Sequence, residues 1–169
     1  MPNWSEGTMK IRGPVDNVIN YISEAFVYID SQGQKIETTQ TVTVSENFSD
    51  FYTITLKPSE KESQKKVDGL YIKGTTRGFI DETRFSLDFW REGEELIVEI
   101  QNLKQAWKVD AQEYVWLSKK NEVDLKIFAF EKGSEFTQII EIIKGKITID
   151  LKQKYINYNW EVPFNGLGG

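Results

Sequence analysis

The sequence predicts an α+β domain of the ferredoxin-like kind, in which an antiparallel sheet carries two helices on one face and has additional strands. Three observations indicate this fold class. Residues 123–151 form three runs of β-type residues separated by glycine-containing turns, the pattern of three consecutive antiparallel strands. A helical stripe lies near the start of the chain, and a second helical signal precedes residue 123. The order strand, helix, several strands, helix, strand is typical of this class.

The first helix is predicted over residues 14–26. Pro14 suits the first helical position, and Asp16 lies in the first turn, where the helix dipole favours a negative charge. Apolar residues then recur at the spacing of one helix face, namely Val15, Val18, Ile19, Ile22 and Phe26. Further strands are predicted over residues 8–12, 38–45, 51–57, 70–73, 84–90 and 95–100. A loop or turn is predicted over 46–50. The strands 84–90 and 95–100 are predicted to pair as a hairpin.

The second helix is predicted over residues 111–120. Asp110 and Glu113 have the spacing of a capping box, and Asn121 can end the helix. The polar stretch at about 58–68 has no apolar residue before Val67, which predicts a mobile loop. A length of 169 residues predicts that this loop interrupts a single domain spanning 1–169.

The composition limits the chemistry that the chain can perform. A formal net charge of −5 argues against broad binding to nucleic acid. It fits a protein partner with a basic surface, and it is also the ordinary charge of a chain kept in solution, which is the preferred interpretation. With no cysteine and no histidine, disulfides, Cys/His zinc sites and catalysis by Ser-His or Cys-His pairs are excluded. The first residues do not resemble a signal peptide and no stretch approaches membrane-spanning length, so a cytoplasmic location is expected.

The first candidate binding segment is at the start of the chain. Asn3, Trp4 and Glu6 place an amide, an aromatic ring and a carboxylate just before a strand, which suits a recognition corner. The alternative is structural: Trp4 fixes this segment to the sheet and Asn3 bonds turn amides. Trp107 is a further candidate; with Tyr114, Trp116 and Trp160 it predicts core or rim packing, or a protein-binding hot spot where two of them are exposed together.

The second candidate segment surrounds a glycine-flanked turn at residues 74–78. Its basic and hydroxyl side chains are Lys73, Thr75, Thr76, Arg77 and Arg84. Arginine can contact a phosphate with two parallel hydrogen bonds, and glycine allows close backbone approach. Arg77 is the preferred contact because it lies inside the turn. The alternative is a plain turn with solvated basic residues, since the spacing matches no phosphate-binding motif.

Acidic residues offer a weak signal for a metal site. Asp81, Glu82, Glu92, Glu94, Glu95 and Glu131 can supply Mg²⁺ ligands for phosphodiester cleavage. Such a nuclease needs two or three carboxylates to converge, and no spacing in the chain indicates convergence. No metal and no other cofactor is therefore predicted.

Several segments resemble a family of small phage and plasmid accessory proteins whose first residues read Pro-Asn-Trp-Cys before a strand. The similar stretches are residues 2–13 (PNWSEGTMKIRG), 74–80, 106–107, 124–136 and 160–169. Ser5 stands where the family has cysteine, which indicates a packing role for that position. The resemblance implies a ferredoxin-like fold and a counter-defence role in a bacterial host, namely inhibition of a type II CRISPR effector by binding the nuclease or its guide RNA.

Two alternative functions stay open at this point. One is a ribonuclease that cleaves guide or cellular RNA, for which Lys73, Arg77 and Glu131 are candidate phosphate-binding and acid/base groups. The other is a phage accessory domain with neither an enzymatic nor an inhibitory role. Cleavage of labelled RNA separates the first alternative from the others.

Overall fold

A computed structural model describes residues 3–44, 51–91 and 93–169. Over these residues the chain is mostly β, with 52% strand and 18% helix. The elements are β1 (Trp4–Pro14), α1 (Val15–Ala25), β2 (Phe26–Asp30), β3 (Thr38–Val44), β4 (Phe51–Pro58), a 3-10 turn (Glu60–Glu62), β5 (Val67–Ile72), β6 (Gly78–Ile80), β7 (Phe85–Trp90), β8 (Glu95–Ala106), α2 (Gln112–Asn121), β9 (Asp124–Glu131), β10 (Phe136–Ile143), β11 (Lys146–Lys154) and α3 (Tyr158–Glu161).

Two antiparallel sheets organise the molecule. The larger has eight strands in the order β11-β10-β9-β1-β8-β6-β5-β2, and the smaller has the order β3-β4-β7. The ferredoxin-like α+β prediction is therefore wrong. Two helices of 11 and 10 residues cover only part of an eight-stranded sheet, and a second sheet adds Ile54, Leu56, Phe85 and Phe89 to the core.

The two predicted helices and the three predicted C-terminal strands are confirmed. α1 packs over β1 and β8 and buries Val18, Tyr21, Ile22 and Ala25, while α2 packs over β10 and β11. β9, β10 and β11 pair as consecutive antiparallel neighbours. These elements could be predicted because a helical stripe and strand alternation are local patterns that are visible in the sequence.

The predicted hairpin of residues 84–90 with 95–100 is wrong. β7 pairs with β4 in the smaller sheet, whereas β8 pairs with β1 and β6 in the larger one. The two sheets meet where the Tyr28 hydroxyl donates to the carbonyl of Leu56 at 2.9 Å and accepts from the amide of Phe85 at 3.0 Å. The predicted loop at 46–50 and residue 92 lie outside the described residues.

The segment 58–68 contains more regular structure than its polar composition indicates. It includes the 3-10 turn Glu60–Glu62 and the first residues of β5. Ser59 is buried, and its amide donates to the carbonyl of Glu37 at 2.7 Å. The mobility of this segment stays a prediction.

The larger sheet has a core face and an open face. Met9, Ile11, Ile100 and Ile127 point from its central strands into the core, while Trp4, Glu6, Phe79, Lys104 and Phe128 lie half-buried on the opposite side. Alternation along each strand produces this division. Among the described residues, no helix has the length and apolar character needed to cross a membrane.

Candidate functional site

An exposed arginine flanked by two tryptophan rings lies at one end of the open face. The Arg77 guanidinium carbon is 5.5 Å from the ring centroid of Trp4 and 5.5 Å from that of Trp107. Phe79 extends the group, with its ring centroid 6.1 Å from Trp4 in an edge-on arrangement. We call Trp4, Arg77, Phe79 and Trp107 the aromatic-arginine surface. Trp107 is 57% exposed, so one of its faces is available to a partner.

The turn that carries Arg77 is fixed by its own hydroxyl side chains. Thr75 is buried; its Oγ1 donates to the carbonyl of Ile72 at 2.7 Å and accepts from the amide of Gly78 at 3.1 Å. The Tyr71 hydroxyl donates to the carbonyl of Thr75 at 2.5 Å. Arg77 has φ of 57°, a left-handed conformation that is uncommon outside glycine. The turn therefore presents Arg77 in one defined direction.

A hydrogen-bonded chain behind the turn connects it to α2. Oε2 of Glu113 accepts from the Thr76 amide at 2.9 Å and from Nε2 of Gln105 at 2.6 Å. The Tyr114 hydroxyl in turn donates to Oε1 of Gln105 at 2.9 Å, and both of those side chains are buried. The predicted capping box is wrong, because the Glu113 carboxylate reaches this network and the amide of Gln112 bonds Oδ1 of Asp110.

The N-terminal segment holds Trp107 in place. The Trp107 amide donates to the carbonyl of Asn3 at 2.7 Å, and Oγ of Ser5 donates to the Trp107 carbonyl at 3.3 Å. Trp107 has φ of 64°, so its backbone also adopts the left-handed region. Ser5 is fully buried. Asn3, Trp4, Ser5 and Trp107 thus form one unit, although 102 residues separate Ser5 from Trp107 along the chain.

Charged groups beside the surface are largely paired. Nζ of Lys104 lies 2.6 Å from Oδ2 of Asp81 and 3.2 Å from Oε1 of Glu6. The pKa of Lys104 is raised, first by its hydrogen bond to Asp81 and then by that to Glu6. Oε2 of Glu6 also accepts from the amide of Gly168 at 3.1 Å. Two carboxylates therefore balance one ammonium, and the surroundings of Arg77 are not strongly basic.

Phe79 divides two shallow hollows on the open face. The hollows have volumes of about 380 and about 330 Å³, and they share Ile29, Asp68, Arg77 and Phe79 as lining residues. The Tyr71 ring lies 5.9 Å from that of Phe79, and Nζ of Lys35 is 5.4 Å from the Tyr71 ring. Three rings, Trp4, Phe79 and Tyr71, thus follow one another across the sheet, with Arg77 at one end and Lys35 at the other.

The structure brings together seven of the candidate residues, places two elsewhere and buries one beside Asn3. Asn3, Trp4, Glu6, Thr75, Thr76, Arg77 and Trp107 form or support the surface. Lys73 is exposed, and its amide bonds the carbonyl of Ala25 at the end of α1. Arg84 lines a separate hollow with Glu82 and Glu99. Glu131 is buried next to Asn3, since a Cβ atom at Gly133 would collide with Nδ2 of Asn3 and would lie 2.9 Å from Oε1 of Glu131.

The carboxylate of Glu131 is occupied by its own turn. Oε1 accepts from the Gly133 amide at 2.9 Å, and Oε2 accepts from the Ser134 amide at 2.7 Å. Both oxygens therefore have backbone donors. No group of three acidic side chains that could hold a metal ion forms within residues 3–44, 51–91 and 93–169.

The sequence interpretation missed the neighbours that complete the site. Phe79 and Lys104 lie on strands whose alternation indicates an outward direction, and that signal can find them once the sheet order is known. Glu113 gave a stronger but misleading local signal as a helix cap. No protein-family model, no curated protein and no solved structure matches this chain.

Proposed function

We propose that this protein acts by binding a protein partner through the aromatic-arginine surface. The observation that carries the proposal is Arg77 held between Trp4 and the exposed Trp107. Tryptophan and arginine are enriched among residues that dominate protein interfaces, and a rigid pair loses little conformational entropy on binding. The two left-handed backbone positions and the Glu113 network supply this rigidity.

The charges near the surface favour a protein over a nucleic acid at this place. Lys104 is paired with Asp81 and Glu6, and Asp68 lines both hollows beside Phe79. A nucleic-acid backbone needs several uncompensated cations, which this surface lacks among the described residues. The net charge of −5 instead complements a basic protein.

The partner that we propose is a host type II CRISPR effector nuclease, which makes the chain a counter-defence protein of a mobile element. The resemblance to phage and plasmid accessory proteins supports this setting. Three of the resembling stretches, 2–13, 74–80 and 106–107, supply every member of the aromatic-arginine surface. An effector that holds its RNA–DNA duplex in a positively charged channel also suits an acidic inhibitor.

A ribonuclease built on Lys73, Arg77 and Glu131 has less support. Glu131 is buried, and both of its carboxylate oxygens are engaged by backbone amides. A general acid or base has to reach the proton that it transfers.

The test measures plasmid clearance by an active type II system and capture of the purified effector, with and without guide RNA. We expect the wild-type protein to block clearance and to bind the effector in both states. Trp107→Ala should lose both properties. Trp160→Ala should keep them, because Trp160 is 86% exposed on α3 and makes no ring contact with Trp4, Arg77 or Trp107 among the described residues. Unimpaired clearance with wild-type protein refutes the counter-defence role, and equal loss in both variants refutes the site.

A further inference from the structure

A second surface of different chemistry lies along the free edge of the larger sheet. β11 ends the strand order, and no strand within the described ranges pairs with its outer side. Residues 144–154 contain four lysines and a single acidic residue, Asp150. The exposed lysines of this edge, together with one from α2, are Lys119, Lys144, Lys146, Lys152 and Lys154; we call these five the lysine edge.

Lys119 belongs to this group because the end of α2 touches the turn before β11. Oγ of Ser118 accepts from the amide of Gly145 at 2.9 Å. A Cβ atom at Gly145 would collide with the Cβ of Lys119, so the helix and the turn are in direct contact. Trp116, one helical turn before Lys119 and Lys120, is 63% exposed. Nζ of Lys120, which is paired with Glu24, lies 5.5 Å from the centroid of the Trp116 ring, so this ring carries a cation on one side and lies near Lys119.

The positive charge of this edge is not compensated. Among residues 3–44, 51–91 and 93–169, no carboxylate forms an ion pair with any of the five lysines. The basic residues of the open face differ, since Lys10, Arg12 and Lys126 each pair with a carboxylate. A local positive potential can thus persist on a chain of net charge −5, because screening confines it to about 10 Å.

We propose that the lysine edge binds the phosphate backbone of single-stranded nucleic acid, with Trp116 as a platform on which a base stacks. Lys152 and Lys154 lie on the core side of the edge strand and Lys146 on its open side, so positive charge is presented to a phosphate backbone from both faces of the strand. An exposed tryptophan near such lysines is the usual second component of single-strand sites. Lysines on an edge strand also prevent pairing between identical strands. That role disfavours a second copy of this chain, whose β11 carries the same charge.

The test uses fluorescence anisotropy of the isolated protein with a labelled RNA of about 20 nucleotides. Parallel arms use single-stranded DNA and duplex DNA of the same sequence. The edge variant is Lys146→Gln, Lys152→Gln and Lys154→Gln combined. Its matched control is Lys57→Gln, Lys61→Gln and Lys66→Gln, which removes the same charge from exposed lysines elsewhere.

We expect the wild-type affinity to fall about 100-fold between about 50 and about 200 mM salt, as five phosphate contacts imply, and that of the edge variant to fall only about 7-fold. Trp116→Ala should weaken binding about 10-fold at constant salt without changing this slope. The control triple variant and Trp107→Ala should bind like wild type. Because no effector is present, this outcome is independent of the function proposed above.

Three results overturn the proposal. The first is the absence of binding by wild-type protein at the lowest salt concentration. The second is an equal loss in the edge variant and its control, which assigns any binding to overall charge. The third is preferential binding of an acidic peptide over all three nucleic acids, which identifies the edge as a site for strand addition.

Discussion

The aromatic-arginine surface and the lysine edge lie on the same sheet but are built in opposite ways. The first gathers residues 3–6, 76–79 and 104–107, which are distant along the chain and are tied together by hydrogen bonds. The second comes almost entirely from the continuous segment 144–154. Its lysines form no ion pair with a described carboxylate, although Nζ of Lys152 lies 3.6 Å from the ring centroid of Phe136, whereas Lys104 beside Arg77 is paired with two carboxylates. Directional, rigid contacts favour selective binding, while unpaired lysines favour salt-sensitive binding with little selectivity.

The largest effect is expected where the first surface is anchored. Glu113→Ala removes the acceptor for Nε2 of Gln105, which is buried, and for the amide of Thr76. We expect the free energy of unfolding in urea to fall by about 2 kcal/mol, the cost of leaving a buried donor unpaired. Binding of the effector should weaken as well, because the turn that orients Arg77 loses its support. The salt dependence measured at the lysine edge should not change.

Glu113→Gln should restore the stability and the binding that Glu113→Ala loses. One oxygen of Glu113 accepts both hydrogen bonds, so an amide oxygen in its place keeps them. The control is Gln112→Ala, an exposed neighbour on the same helix. If Glu113→Ala proves as stable as Gln112→Ala, the network does not support the surface in the way described.

The elements that depend on local patterns could be predicted from the sequence. The stripe of Val18 and Ile22 and the alternation of residues 123–151 predicted α1, β9, β10 and β11. Sheet order was not accessible, because β1 lies between β8 and β9 through pairings that span about a hundred residues. The hairpin prediction failed for the same reason: adjacency along the chain favoured β7 with β8, whereas burial of Phe85 and Phe89 placed β7 in the smaller sheet.

The candidate site shows the same division. Residue chemistry alone indicates four of the candidates, Asn3, Trp4, Arg77 and Trp107. Only the fold places the guanidinium of Arg77 near both indoles. Glu131 shows the converse, since a carboxylate in a turn looks available until its backbone donors are known. Residue type thus indicates candidates, and long-range pairing decides which of them meet.

A smaller effect, confined to binding, is expected at Arg77. Arg77→Ala should weaken the complex with the effector by about 1–3 kcal/mol, or about 5- to 150-fold, while reducing stability by less than about 1 kcal/mol, because the side chain is exposed. Arg77→Lys should recover only part of the affinity, since the planar guanidinium stacks on both indoles and an ammonium does not. Titration calorimetry and urea unfolding measure the two quantities separately.

Arg84→Ala is the matched control for Arg77. Arg84 is also exposed but lines the hollow with Glu82 and Glu99. We expect its loss to leave binding unchanged. An Arg77→Ala variant that melts early and binds normally would show that the arginine serves the fold and that the surface is misassigned.

The smallest expected effect contrasts a paired lysine with an unpaired one. Lys104 bridges Asp81 and Glu6, and its pKa is raised by those partners. A lysine whose pKa is higher in the folded state adds stability that is fully present below its unfolded value of 10.5 and is lost as the pH rises through the folded value. Solvent screening limits this contribution to less than about 1 kcal/mol.

Lys104→Gln should therefore be slightly less stable than wild type at pH values well below 10.5, and the difference should vanish in strongly alkaline solution. Taking the difference between variant and wild type also removes the common effect of the buried tyrosines, such as Tyr21, whose pKa is raised by burial. Lys146→Gln, from the lysine edge, should show no such difference at any pH, because Lys146 forms no ion pair with a described residue. Urea unfolding from neutral to strongly alkaline pH measures the free energy of unfolding of both variants and of wild type. If the free energies of unfolding of the two variants depend on pH in the same way, the ion pairs of Lys104 do not stabilise the protein in solution. Paired and unpaired lysines would then not differ in their contribution to stability.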